Sequence, residues 1–120
     1  MSDVALATLI AVGADYTPQE VFERHQRGEI QLIDVRQQHE HDAGRIAGTR
    51  LIELAVLAAE ADTIDHEKPV VFYCRSGGRS GMAAQAFNGA GYDAHNMSGG
   101  MIDWHAAGLP IEPDDGYVAD

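Results

Sequence analysis

The chain has 120 residues, 45% of them hydrophobic and 22% charged, which is enough for one domain with its own apolar core. Eight Lys and Arg stand against 19 Asp and Glu, a formal net charge of -11. That balance disfavours partnership with nucleic acid or an anionic membrane surface, because the long-range electrostatic term is repulsive. The one cysteine excludes an intrachain disulfide and a zinc site built on several thiolates, and it fits a reducing compartment.

The apolar run from Val4 to Val12 is too short to span a bilayer and lacks the basic flank of a secretory signal, so a cytoplasmic protein is expected. "TPQEVFERHQRGE" then carries helix start and stop signals. Thr17 caps, Pro18 suits the first turn, Glu20 completes a capping box and Gly28 ends the helix. "IQLIDV", residues 30–35, is short, apolar and partly β-branched, as in a buried strand. "RQQHEHDAGRIAGTR" reads as a polar connection. "LIELAVLAAEAD" has helical spacing, with Leu54, Leu57 and Ala61 near one face.

"KPVVFYC" is the clearest strand, and residues 80–90 after it read as a helix that Gly91 can end. "YDAHNM" is a further strand. "GGMIDWHAAG" is a short helix stopped by Gly108 and Pro110, with Trp104, Met101 and Ile102 assigned to core packing. The tail "IEPDDGYVAD" is acidic and expected to be loose. Strands alternating with helices predict an α/β domain with a mainly parallel sheet.

In such a fold, ligands bind beyond the carboxyl ends of the strands, and Cys74 falls there. A lone cysteine is most often a small buried hydrophobe. Such a thiol has no use for the two glycines, two arginines and helix start that follow this one in "CRSGGRS". Gly77 and Gly78 let the amides of Arg75 to Ser80 curl round one point, an anion cradle backed by the positive end of the next helix. Arg75 and Arg79 add full charges. All these features favour thiolate over thiol, which makes the cysteine a nucleophile near neutral pH.

"CRSGGRS" resembles the active-site loop of the rhodanese family, the sulfurtransferases. "LIDVRQQHEHDAGRIAG" is similar to that family's Asp-x-Arg, glutamate and Gly-His-Ile segment, and "MSGGMIDWHAAGLPI" to its closing Gly-Gly, Trp and Gly-Leu-Pro segment. The three occur in order between Tyr16 and Ile111. The resemblance implies a five-stranded, mainly parallel sheet flanked by helices, with the cysteine loop between a central strand and a helix. It divides the chain into an N-terminal extension (1–15), a rhodanese-like domain (16–111) and an acidic tail (112–120). One departure is Arg45, where the family usually has His; that position is assigned to support of the loop region rather than to chemistry.

Tyrosine-phosphatase-like enzymes and arsenate reductases need five residues between cysteine and arginine. Here Cys74 and Arg79 enclose four, and position 81 is Gly, so phosphatase and arsenate reductase chemistry become remote alternatives. The implied reaction is sulfur transfer in two stages through a persulfide on Cys74. Arg75, Ser76, Gly77, Gly78, Arg79 and Ser80 would bind the donor. Its reactants would be a thiosulfate-like donor and a cyanide or thiol acceptor, with a sulfur-accepting protein as a further partner. A persulfide carrier with little small-molecule turnover is the alternative. With no second thiol, discharge must use an external nucleophile. Asp34, Arg36 and Glu40 are assigned to structural support, for example as an Arg36–Glu40 ion pair. His39 and His41 alternate on an exposed-looking loop with no third ligand, so no metal and no cofactor is expected.

Overall fold

The structure is a computed structural model, and it describes residues 13–120. The apolar run from Val4 to Val12 and most of the expected N-terminal extension lie outside the described residues.

Helix α1 spans Pro18–Gln26. Its capping box is complete: the Glu20 amide donates to Thr17 Oγ1 (3.2 Å), and the Thr17 amide donates to the Glu20 carboxylate (3.1 Å). Strand β1 follows at Gln31–Asp34, then a short helix α2 at Gln38–Ala43 inside the segment expected to be a polar connection. Glu40 begins that helix by accepting from the Gln37 amide at 2.9 Å. Strand β2 is two residues, Arg50–Leu51. The segment with helical spacing forms two 3-10 turns, Leu54–Val56 and Ala58–Thr63, which press Leu57 into the core with Leu54 and Ala61 packed against it. Strand β3 is Val70–Tyr73, helix α3 Gly78–Gly89, strand β4 Ala94–Asn96 and helix α4 Gly100–Ala106.

The sheet order is β2-β1-β3-β4, all parallel. Among the described residues the sheet thus has four strands where five were expected. The place beside β4 is held by a single parallel bridge, Tyr16 to Met97, closed by Tyr16 N–H to Asn96 O and Ser98 N–H to Tyr16 O, both 2.9 Å. Thr17 caps α1 directly after Tyr16, so the pairing cannot continue beyond Tyr16 toward the carboxyl end.

Successive side chains of β3 alternate between two cores, as the pleat requires. Val70 and Phe72 join Ile33, Val35, Leu57, Ala83, Ala84 and Phe87 on one face. Val71 and Tyr73 join Val21, Leu32, Met97, Met101 and Trp104 on the other. All four β3 residues are fully buried, and each of the larger apolar ones contributes about 1.5–3 kcal/mol. Helices therefore cover both faces of a parallel sheet, and β3, flanked by β1 and β4, delivers its carboxyl end to the middle of one edge of the domain.

The C-terminal segment is docked rather than loose. Arg45 and Glu112 exchange backbone hydrogen bonds of 2.9 and 2.7 Å, and the Tyr117 amide donates to Ala43 O at 2.9 Å. Ile111 and Val118 pack against the second core. No helix among the described residues is long and apolar enough to cross a membrane.

Candidate active site

Cys74 follows β3 directly and is 1% exposed. Its Sγ accepts from Gly77 N–H (3.1 Å), the Ser80 hydroxyl (3.2 Å) and, more weakly, Ser80 N–H (3.5 Å). Burial raises the thiol pKa, but the Ser80 hydroxyl and the amides of Ser80, Gly77 and Ser76 together outweigh it, and the thiol is held below its ordinary value. The turn that brings these amides inward needs Gly77, whose φ of +103° is open to few other residues. Gly78 is already the first residue of α3 and keeps an ordinary φ, so one glycine makes the turn where two were expected. The amino end of α3 points at the sulfur through its first turn, adding the helix dipole to the individual hydrogen bonds.

The two loop arginines are both engaged by carboxylates. Arg79 makes a bidentate pair with Glu40, 2.9 Å from Nη1 to Oε2 and 2.9 Å from Nη2 to Oε1. The Glu40 carboxyl is 3% exposed. The Arg79 hydrogen bonds hold its pKa down from 4.5 to about 2; burial pushes it up, and the Gln37 amide adds to the lowering. Arg75 pairs with Asp120 at 2.8 Å, and the Asp120 carbonyl lies 3.0 Å from His39 Nε2. The acidic tail thereby reaches the rim of the cysteine loop. Ser76 is exposed at the tip of that loop.

Asp34 and Arg36 are buried together beside Cys74, because Asp34 is the register partner of Tyr73. Arg36 donates to Asp34 through Nε (2.9 Å) and Nη2 (2.7 Å), and through Nη2 to Gly44 O (2.7 Å). Arg36 therefore pairs with Asp34, and Glu40 with Arg79, which corrects the expected Arg36–Glu40 pair. The chain brings Glu40 under the loop because α2 turns it there, a helix that the polar segment concealed. His41 Nδ1 lies 2.9 Å from Asp34 Oδ2 and His39 faces the tail, so the two histidines diverge. No cluster of three His, Cys, Asp or Glu able to hold a metal occurs among the described residues. Arg45 Nη1 donates to His41 O at 3.4 Å.

Two further groups shape the site. The amides of Met101 and Ile102, at the start of α4, donate to Cys74 O (2.9 Å) and Arg75 O (3.0 Å), which fixes the loop carbonyls outward and its amides inward. A Cβ at Gly100 would stand 2.5 Å from Cys74 O, so this approach requires glycine; the Gly-Gly pair was the visible signal. Asn96, from the end of β4, accepts the Ser80 hydroxyl at 2.6 Å. Beside the loop a cleft of about 330 Å³ is lined by Val35, Gln37, Glu53, Leu54, Ala55 and Arg79.

A buried thiol cradled by amides at a helix start, on a central parallel strand, fits known proteins along most of the chain. Residues 17–107 match the rhodanese-like domain family. A sulfurtransferase of Allochromatium vinosum is 33% identical over 89 residues, 73% of this chain and 83% of its own length. An HTH-type transcriptional regulator of Mycobacterium tuberculosis is 34% identical over 118 residues, 93% of this chain; the chain spans only 52% of that regulator. Among solved structures, a rhodanese-related protein of Thermoplasma volcanium superposes with a TM-score of 0.77 over 82% of this chain and 96% of its own, at 22% identity, a likeness of fold. With the matched segment reaching from the cap of α1 to the end of α4, the chain belongs to the rhodanese-like domain family.

Proposed function

We propose that this protein is a sulfurtransferase that moves a sulfane sulfur from thiosulfate or a related donor to a thiophilic acceptor through a persulfide on Cys74. The observation that carries the reading is the set of donors converging on one sulfur: Gly77 N–H, Ser80 N–H and the Ser80 hydroxyl. The Cys74 thiolate attacks the outer sulfur of thiosulfate, the S–S bond breaks, and sulfite leaves with its electron pair. The new terminal sulfur carries negative charge, and donors already in place stabilise it without reorganising. Cyanide or a thiol then attacks that sulfur and Cys74 departs as thiolate. The bidentate pair with Glu40 occupies the Arg79 guanidinium that phosphatase and arsenate reductase chemistry would need for an oxyanion, which speaks against those reactions. Arg75, Ser76, Gly77, Gly78, Arg79 and Ser80 form the donor-binding loop, supported by Asp34, Arg36 and Glu40. The single cysteine and the reaction suit the cytoplasm.

A second reading, a persulfide carrier serving a partner protein, is favoured by the pairing of both loop arginines with carboxylates, which weakens the pull on a small dianion. Steady-state cyanide–thiosulfate assays separate the two: negligible turnover at saturating thiosulfate selects the carrier. The shared step is tested by mass spectrometry after thiosulfate treatment. The wild type should gain one sulfur and Cys74→Ser none, with its fold retained; sulfur on the variant would overturn both readings.

A further inference from the structure

Ser80 is fully buried and its hydroxyl stands between two acceptors, Cys74 Sγ at 3.2 Å and Asn96 Oδ1 at 2.6 Å. A hydroxyl has one proton, so it can serve only one of them at a time. The amide oxygen is both the closer and the stronger neutral acceptor. Asn96 is itself 7% exposed, and its main chain is tied down by the Tyr16 amide at 2.9 Å. Its Nδ2 lies over Gly81 of α3 and Gly77 of the loop, where a Cβ would stand 3.5 and 3.7 Å away. Nδ2 also faces the carboxylate of Asp15, 3.4 Å from Oδ2. A carboxylate accepts and cannot donate, so Asp15 selects the amide orientation in which the oxygen faces Ser80. A half-turn of the amide would reverse this. Nδ2 would then donate to Ser80 Oγ, and the hydroxyl proton would be free for the sulfur.

We propose that Asn96 is a positioning residue that competes for the single hydroxyl proton of Ser80 and so weakens, without abolishing, its hydrogen bond to Cys74 Sγ, with Asp15 keeping the amide in that orientation. The consequence is a thiolate less quenched, and so more nucleophilic, than the cradle alone would make it. The charged groups on the elements around the sulfur are Arg79 with Glu40 from α2, the Asp34–Arg36 pair at the end of β1 with His41 beside it, Arg75 with Asp120, and Asp15 itself. None of them contacts the Ser80 hydroxyl.

The inference rests on Cys74 as the reactive thiol, but its test needs no sulfur donor. The rate of Cys74 alkylation by iodoacetamide is followed against pH for the full chain. Asn96→Leu keeps the volume and removes the competing oxygen, so the Ser80 proton turns to the sulfur. The alkylation midpoint should then fall, giving about three-fold more thiolate at a pH below the wild-type midpoint, where one pK unit is a tenfold change in the ratio. Ser80→Ala should move the midpoint up. Asn96→Leu in the Ser80→Ala background should move it no further. Asp15→Asn, an exposed change that leaves the fold intact, should give a smaller fall that also vanishes without Ser80, whereas a purely coulombic effect of Asp15 would persist there. A midpoint that is unmoved or raised by Asn96→Leu, or lowered equally with and without Ser80, overturns the proposal; should that variant not fold, the Asp15→Asn pair decides by the same criteria. Absence of a persulfide on Cys74 would defeat the sulfurtransferase reading and leave this result standing.

Discussion

Glu40 is the residue on which the rim of the cysteine loop depends. Its carboxylate takes two hydrogen bonds from Arg79 and one from the Gln37 amide, in a position 3% exposed. Glu40→Gln keeps the shape but leaves Arg79 without its counter-charge, and because Arg79 is a third exposed and partly solvated, the expected cost is only about 1–3 kcal/mol. The folded-state pKa of about 2 lies below the ordinary 4.5. The ionised form is therefore favoured by folding, and its contribution is complete above the ordinary value and lost as pH falls through the folded one. Urea unfolding should show the full wild-type advantage over Glu40→Gln at pH 7 and a shrinking one between about pH 4.5 and 2. A gap independent of pH in that window would assign the loss to packing. This pair joins residues 39 apart in sequence, and no local pattern announces it. Cys74, Gly77 and Ser80, by contrast, are legible together because the whole cradle lies within seven consecutive residues.

Elements that rest on local chemistry could be read from the chain, and those that rest on distant contacts could not. The Thr17–Glu20 box and the alternating burial of β3 are properties of a few adjacent residues, so α1 and β3 fall close to where the sequence places them. Helix α2 escaped because its apolar content is minimal; it forms around Glu40, whose partner lies on α3. The docked tail likewise depends on Arg45, Ala43 and Arg75, none of them near it in sequence. The contact of α4 with the cysteine loop gives two neighbouring glycines opposite sensitivities. Gly100 has a φ of +56°, and a Cβ there would meet Cys74 O at 2.5 Å and Arg75 O at 2.6 Å. Gly100→Ala must push the start of α4 away, losing the Met101 and Ile102 hydrogen bonds, and should cost more than about 2 kcal/mol. Gly78 has an ordinary φ and open space where a Cβ would go. Gly78→Ala should be neutral or stabilising by about 0.5 kcal/mol through the unfolded chain. Thermal unfolding of the two variants side by side checks this, and similar losses in both would mean that the loop backbone is constrained at Gly78 as well.

At the scale of the whole molecule, two electrostatic effects oppose each other for an anionic donor. The cradle and the helix start attract it within the last few ångströms, whereas the net charge of -11 repels it during approach. Which effect controls the salt dependence turns on how much free positive charge the loop presents. Arg79 is matched by Glu40 and Arg75 by Asp120, so the full charges nearest the thiol largely cancel, and what remains is short-range dipoles and hydrogen bonds. Salt screens interactions between exposed charges beyond a Debye length, about 10 Å at 0.1 M, and leaves the short-range donors nearly untouched. Raising ionic strength should therefore relieve the long-range repulsion more than it weakens the local attraction. The expected result is a kcat/KM for thiosulfate that rises about two- to five-fold between low salt and ~0.2 M, carried by KM with kcat steady, because the term being screened is one of encounter. An uncharged sulfane donor should show no such rise. A kcat/KM that falls with salt would mean that the arginines act as free cations toward the donor, with the Asp120 contact opened in solution and Arg75 available to it.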